Sequence, residues 1–121
     1  MSRSVRTILL LAAMAMLAPL GATLLAHHGW GEYDSRKPLT LTGTIKESGY
    51  ENPHSFVDFE VNGKTWHAVL APPSRMQARG VLKEMIQPGA TVTVMGFPHK
   101  TRTTEMKGEQ IRIGDKTTYI R

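Results

Sequence analysis

The stretch Ser55–Leu70, SFVDFEVNGKTWHAVL, decides the fold because it encodes two strands joined by a tight turn. Asn62-Gly63 is the strongest short-range signal for a two-residue β-hairpin, since both residues tolerate a positive φ. The turn fixes the register of the two strands, and alternate residues then share a face of the sheet. The expected inner pairs are Phe59 with Trp66 and Val57 with Ala68, and the outer pairs are Asp58 with His67 and Phe56 with Val69.

A further strand is predicted upstream of this hairpin. Leu39–Lys46 alternates apolar and polar residues, which is typical of a half-buried strand with Leu39, Leu41 and Ile45 inward. Gly43 falls on the same inner face, where a small barrel needs a bend or a close backbone approach. The turn Asn52-Pro53-His54 then leads into the hairpin.

Downstream of the hairpin, the sequence predicts a short helix followed by two or three strands. Ser74 is expected to cap a helix through about Arg79 that Gly80 closes, and Val81–Ile86 can add another turn. The buried side of this region is predicted to hold Met76, Leu82, Met85 and Ile86. Then follow the strand Ala90–Phe97 with Val92 and Val94 inward, a polar loop Pro98–Lys107, and a hairpin of Gly108–Ile113 with Thr117–Ile120 around Gly114-Asp115-Lys116.

The order of three strands, a short helix and two or three strands indicates an all-β fold with one short helix. It matches a small five- to six-stranded OB-like Greek-key barrel, whose helix lies between the third and fourth strands. An SH3-like barrel is the main rival, but it usually lacks a helix at that place. Neither architecture specifies a function.

The N-terminus has the order of parts of a secretory signal peptide, expected at residues 1–26. Arg3 and Arg6 form a basic start, an apolar run follows, and Ala26 offers a small residue for cleavage. Two alternatives are an uncleaved anchor over residues 8–26, which Pro19 and Gly21 interrupt, and cleavage after Ala22. Cleavage after Ala26 leaves an arm over residues 27–38 and an OB-like domain over residues 39–121. The protein is then periplasmic and has no membrane contact.

Composition narrows the possible functions. Removing residues 1–26 of 121 leaves 95, enough for one small domain, and takes away Arg3 and Arg6, so the formal net charge falls from +5 to +3. The basic residues are scattered, which does not favour a nucleic-acid partner. The chain has no cysteine, which excludes disulfides, thiolate metal sites, thiol catalysis and c-type haem attachment.

A set of short motifs gives the chain a family resemblance. They are Ala26-His27-His28, Glu32-Tyr33-Asp34, Lys37-Pro38, Leu41-Thr42-Gly43-Thr44, Asn52-Pro53-His54, Ala78-Arg79-Gly80 and Pro88-Gly89. With these, the chain resembles a family of small exported bacterial proteins known only as a domain of unknown function. The likeness covers essentially the whole mature chain and departs at Gly29-Trp30. It implies an exported OB-like domain and no particular activity.

His27 and His28 carry the sharpest chemical hypothesis. Cleavage after Ala26 would give His27 a free amine beside its imidazole, and His28, Glu32 or Asp34 could complete a metal site. Amine and imidazole nitrogens suit Cu(II), Ni(II) or Zn(II), and Cu(II) is strongest in the general affinity order. The alternative is a solvated tail without a ligand.

The other histidines have structural as well as metal-binding interpretations. His54 either holds its turn by a hydrogen bond or acts as a ligand, and His67 most simply pairs with Asp58. His54 and His67 would lie about 13 Å apart along the hairpin, so a joint site would need the arm to bring a third ligand. His99 is either a further partner or a solvent-exposed loop residue.

These observations favour a periplasmic binding module with a transition metal, copper first, as ligand. The alternative is an envelope protein-interaction or adaptor module that binds a peptide, a glycan or a small anion without metal. An enzyme is disfavoured, because the sequence lacks a serine elbow, a phosphate-cradling glycine loop and a His-Glu-x-x-His stretch.

Overall fold

The computed structural model of the chain describes residues 30–121. Residues Tyr33–Arg121 form one compact unit; the described part of the other unit, Met1–Glu32, is a 3-10 turn. The elements are the 3-10 turn Trp30–Glu32, β1 (Leu39–Gly49), β2 (Phe56–Val61), β3 (Lys64–Val69), α1 (Pro73–Ala78), a 3-10 turn Lys83–Ile86, β4 (Thr91–Pro98), β5 (Glu105–Ile113) and β6 (Lys116–Tyr119). Among these described elements, none is a helix long and apolar enough to cross a bilayer.

The strands form a closed five-stranded barrel with one additional strand. β1 pairs antiparallel with β2 and with β4, β2 pairs with β3, and β4 pairs with β5. A short parallel pairing of β3 with β5 closes the barrel, and β6 extends the sheet beyond β5. With α1 between β3 and β4, this is the predicted OB-like Greek-key barrel.

The hairpin has the predicted register. All four expected pairs are present, and the turn residues Asn62 and Gly63 have φ values of 49° and 80°. Phe59, Val57 and Ala68 are fully buried, whereas Trp66 is half-buried and packs against the core. The local turn signal therefore places both faces of the hairpin correctly.

The first strand contributes to the core as its alternation predicts. Ile45 is buried, and Leu39 and Leu41 are half-buried and pack against the core. A Cβ atom at Gly43 would overlap the backbone carbonyl of Glu60. Gly43 is therefore the point of close backbone approach, because only a residue without Cβ fits there.

The helix region corrects two expectations. Ser74 does not cap α1, because the helix begins at Pro73 with Pro72 at its N-cap and has no side-chain cap hydrogen bond. Proline suits the first helical position, where a backbone donor would lack a helical partner. The sequence predicts a buried Leu82, but this residue is 43% exposed; Gly80, with a φ of 82°, turns the chain so that Val81 is buried in its place.

Two strand boundaries also differ from the prediction. β1 continues to Gly49, past a register shift between Ile45 and Glu47. β5 begins at Glu105 rather than Gly108, because residues 105–107 pair with β3. The loop between β4 and β5 is correspondingly shorter than predicted.

Candidate functional site

Polar side chains follow one another across several strands on the outside of the barrel. Asp58 is the register partner of Glu47 on one side and of His67 on the other. His67 is in turn the partner of Glu105 in the parallel pairing. His99, just after β4, and Tyr33, before β1, extend this series. We call these six residues the outer polar row: Glu47, Asp58, His67, Glu105, His99 and Tyr33.

His67 is held by its neighbours in this row. Its Nδ1 lies 2.6 Å from Oδ1 of Asp58, and the two side chains are 40% and 24% exposed. The ring of Phe56 lies against the imidazole, with 5.2 Å between ring centroids. The pairing with Asp58 is the one that the hairpin register predicts. His67 is therefore an anchored side chain that remains partly open to solvent.

His99 is predicted to be solvent-exposed or a metal partner, yet its side chain is only 5% exposed. Its Nδ1 accepts hydrogen bonds from the backbone N–H groups of Arg102 (2.8 Å) and Thr101 (3.1 Å). An Nδ1 that accepts two amide protons cannot carry its own, so the ring proton of the neutral imidazole is on Nε2. The buried imidazole thus fixes the backbone of the β4–β5 loop through these two hydrogen bonds.

Glu105 joins the two ends of the outer polar row. Its Oε2 accepts a 2.9 Å hydrogen bond from the Tyr33 hydroxyl and lies 3.9 Å from Nε2 of His99. Its Oε1 lies 3.3 Å from Nη1 of Arg102. The ring of Tyr33 meets that of His99 edge-on at 5.1 Å, and the two residues form an isolated β-bridge. The Glu105 carboxylate therefore lies among the polar groups of Tyr33, His99 and Arg102 at this end of the barrel.

Asp34 belongs to the same end of the barrel but is engaged by another partner. Its carboxylate accepts hydrogen bonds of 3.1 Å each from the backbone N–H and the Nε of Arg36, and these hold the pKa of Asp34 below its usual value. Its own backbone N–H donates to the carbonyl of Pro98. Asp34 thus fastens the chain to β4 rather than presenting a vacant carboxylate.

Among the remaining predicted ligands, His54 belongs to the same compact unit as the outer polar row. His54 is half-buried in the turn before β2, after the cis Asn52–Pro53 peptide, and is outside the outer polar row. Glu32 ends the 3-10 turn of the other unit. His27 and His28 lie outside the described residues. Across residues 30–121, no three His, Cys, Asp or Glu side chains group in a way that could hold a metal ion.

Comparison with known proteins identifies a family. A family model described as "Family of unknown function (DUF6152)" matches residues 14–118. The chain belongs to DUF6152. This agrees with the resemblance to a domain of unknown function, and it assigns no activity. No curated protein gives a significant match.

Solved structures similar to this DUF6152 chain include three of TiaS. A complex of TiaS with an isoleucine tRNA and ATP is 17% identical, with 66% of this chain and 18% of that chain covered and a TM-score of 0.48. A ZRD-deleted mutant of TiaS with agmatine is 17% identical, with 72% and 24% covered and a TM-score of 0.49. A complex of TiaS with the same tRNA, AMPCPP and agmatine is 18% identical, with 72% and 21% covered and a TM-score of 0.49. The matched region is therefore about a fifth of each TiaS chain.

The outer polar row of the DUF6152 chain contains two residues that sequence reasoning missed as members of a cluster. The sequence pattern places Glu105 in a loop, and Tyr33 stands out only as part of a family motif. Neither carries a local signal, because Glu105 reaches His67 only through the parallel pairing and Tyr33 reaches Glu105 only through tertiary contact. Chemically, the row contains two hydrogen-bonded pairs, the His67 imidazole with the Asp58 carboxylate and the Tyr33 hydroxyl with the Glu105 carboxylate.

Proposed function

We propose that the protein is an exported binding module that holds a transition metal ion, Cu(II) most favourably, at His27 and His28. The observation that carries the proposal is the sequence Leu24-Leu25-Ala26-His27-His28, where the predicted signal peptide ends at Ala26 and two histidines follow it directly. Cleavage after Ala26 gives His27 an amine and an imidazole on the same residue. These two nitrogens chelate one metal ion, and nitrogen ligands of this kind favour Cu(II).

The engagement of the barrel histidines supports placing the metal at the N-terminus. Nδ1 of His67 contacts the Asp58 carboxylate, and Nδ1 of His99 accepts two backbone N–H groups. At both rings a metal ion would have to bind through Nε2, but within the described residues 30–121 no three His, Cys, Asp or Glu side chains group in a way that could hold one. The N-terminal histidines, which follow directly on the predicted signal peptide, are therefore the ligands that we propose.

Calorimetric titration with Cu(II) tests the proposal on protein that begins at His27. Selective acetylation of the α-amine of His27 removes this nitrogen as a ligand, so the acetylated form is expected to bind Cu(II) about tenfold more weakly or worse. His28→Ala is expected to weaken binding as well. His67→Asn is the matched control, because it removes a histidine that is already paired with Asp58.

Equal affinities for the native start and the acetylated form would remove the amine from the site. Loss of affinity in His67→Asn alone would move the metal to the barrel and contradict the proposal. The alternative, an envelope adaptor that binds its partner without metal, predicts no change of partner binding when His27 and His28 are both replaced by alanine.

Export is a separate part of the proposal with its own measurement. The mass of the protein recovered from the periplasm should correspond to residues 27–121. A mature form that begins at Thr23, or a form retained in the membrane, would contradict the cleavage position.

A further inference from the structure

Five basic side chains gather where the C-terminal end of α1 meets β5 and β6. We call this set the basic corner: Arg75, Arg79, Lys107, Lys116 and Arg121. Its members come from α1, β5, β6 and the chain end, so the tertiary fold brings together residues that are scattered in the sequence. Because these residues are far apart in the sequence, the sequence alone shows no basic patch.

Glu109 lies among these cations and contacts two of them. Its Oε1 is 3.4 Å from Nζ of Lys107, and its Oε2 is 3.6 Å from Nε of Arg121. The side chains of Lys107 and Glu109 are each 11% exposed, whereas that of Arg121 is 66% exposed. One carboxylate thus bridges a buried ammonium and an exposed guanidinium.

A β-bulge places Glu109 at this position. Met95 pairs with Gln110 and Gly96 pairs with Gly108, so Glu109 is the extra residue of β5 opposite β4. A bulge re-aims the side chain of the extra residue relative to the regular strand. Lys107 lies two residues earlier on the same strand, a spacing at which side chains share a face of the sheet, and the two side chains are in contact.

The helix brings the other cations to the same place. Arg75 and Arg79 are exposed and four residues apart, a spacing at which side chains lie on one helical face. Nη2 of Arg79 lies 3.5 Å from the carbonyl oxygen of Arg121. Nζ of Lys116 lies beside Gly80, 3.7 Å from where a Cβ atom would be. Arg121 therefore connects Arg79 to the buried Lys107–Glu109 pair, and Lys116 lies next to Gly80, the residue after Arg79.

The charges of the basic corner are not balanced by its own residues. Burial lowers the pKa of Lys107, Glu109 opposes this shift, and the repulsion of Arg121 and Arg75 adds to it. The side chains of this set carry five cations and the single carboxylate of Glu109, and Arg79 has the main-chain oxygen of Arg121 as a further acceptor. An added anion would relieve the repulsion among them, and its attraction would be strengthened where the site is partly shielded from water.

We propose that the basic corner binds a phosphate-type oxyanion. Guanidinium groups match the geometry of phosphate by donating two parallel N–H bonds, and Arg75, Arg79 and Arg121 each supply one such group. Lys107 adds a point charge from the buried side. The Glu109 carboxylate competes with the added anion, because it already contacts Lys107 and Arg121. This site does not depend on the N-terminal histidines.

Titration of the full mature chain with inorganic phosphate, at constant ionic strength set with chloride, is the first arm of the test. We expect saturable binding that becomes about tenfold weaker in Arg75→Ala, because a hydrogen bond to a charged group is lost. Lys64→Ala is the matched control, since it removes one exposed positive charge at the start of β3 and should leave the affinity unchanged. Glu109→Gln should bind phosphate more tightly, because the competing carboxylate is gone.

The second arm distinguishes a free anion from a phosphate-bearing headgroup. Cosedimentation is measured with phosphatidylglycerol vesicles and with phosphatidylcholine vesicles, each with and without inorganic phosphate. Saturable phosphate binding without vesicle binding assigns a free anion. Vesicle binding that needs phosphatidylglycerol and is lost in Arg75→Ala assigns a headgroup. Absence of both, or equal weakening by Arg75→Ala and Lys64→Ala, overturns the proposal.

Discussion

The hydroxyl of Tyr33 donates a 2.9 Å hydrogen bond to the carboxylate of Glu105, 72 residues later in the chain. Tyr33 is the first residue of the compact barrel unit, and Glu105 is the first residue of β5. The bond therefore ties the start of this unit to the strand that closes the barrel.

Tyr33→Phe is expected to lower the free energy of unfolding by about 1–2 kcal/mol, because it removes a hydrogen bond to a largely buried carboxylate. Urea denaturation measures the loss. Tyr119→Phe is the comparison, since Tyr119 is 46% exposed and its hydroxyl hydrogen-bonds only the exposed Arg121 among the contacts described, a surface contact that should contribute less. A loss in Tyr119→Phe as large as that in Tyr33→Phe would show that the Tyr33 hydroxyl contributes nothing specific.

The loss in free energy of unfolding caused by substitutions in the hairpin should increase with the burial of the replaced side chain. Phe59→Ala is expected to cost about 3–5 kcal/mol, as for other large buried aromatic side chains. Trp66→Ala should cost less, because Trp66 is half-buried, and His67→Ala should stay within about 1 kcal/mol, as for an exposed ion pair. Thermal and urea unfolding give the order. Equal costs for Trp66→Ala and Phe59→Ala would contradict the partial burial of Trp66.

Gly96→Ala should destabilise the barrel, because a Cβ atom there would overlap the backbone carbonyl of Lys107. The strands β4 and β5 would have to separate at their bulge, with an expected cost of about 1–3 kcal/mol or more. Gly31→Ala is the matched control, since nothing lies within 4 Å of its added Cβ. A wild-type melting temperature for Gly96→Ala would contradict the close approach.

The Asp34–Arg36 pair predicts a pH dependence of stability. Hydrogen bonds from Arg36 hold the pKa of Asp34 below its ordinary value of 3.8 in the folded chain. The folded state therefore favours the ionised carboxylate, and this stabilisation is fully present above about pH 4 and is lost as the pH falls through the folded pKa. Urea midpoints of Asp34→Asn and the parent chain should thus differ at pH 7 and converge below about pH 4. Asp115→Asn, in the exposed β5–β6 turn, is the control; a difference that persists undiminished in acid would contradict the linkage.

Copper binding at His27 should weaken as the pH falls. Imidazole and α-amino groups must lose their protons to bind a metal, and their ordinary pKa values are about 6.5 and 7.7–8.0. Calorimetry at about pH 7.5 and about pH 5.5 is expected to show roughly a tenfold loss of affinity or more. An affinity that does not change between these two values would indicate ligands other than amine and imidazole.

The parts of the fold that the sequence predicts are those with local causes. Asn62-Gly63 fixes both its strands, because a two-residue turn leaves one register that buries Phe59 and Val57. Gly43 also follows from its position on the inner face of β1. These features need only neighbouring residues and the period of a strand.

The parts that the sequence does not predict depend on pairings between distant residues. The start of β5 was missed because residues 105–107 find their partners on β3, and the burial of His99 was missed because Tyr33, from the segment before β1, packs against its ring. The outer polar row and the basic corner form in the same way. The sequence pattern shows which residues are polar or basic, but it does not show that they come together in the fold.

The interior of the barrel is filled by side chains such as Phe59, Met76 and Ile111, each fully buried. Neither of the proposed sites uses this filled interior, so binding there would not require the barrel to open. The rate of ligand exchange at those sites would then be set by the surface contacts that must form and break.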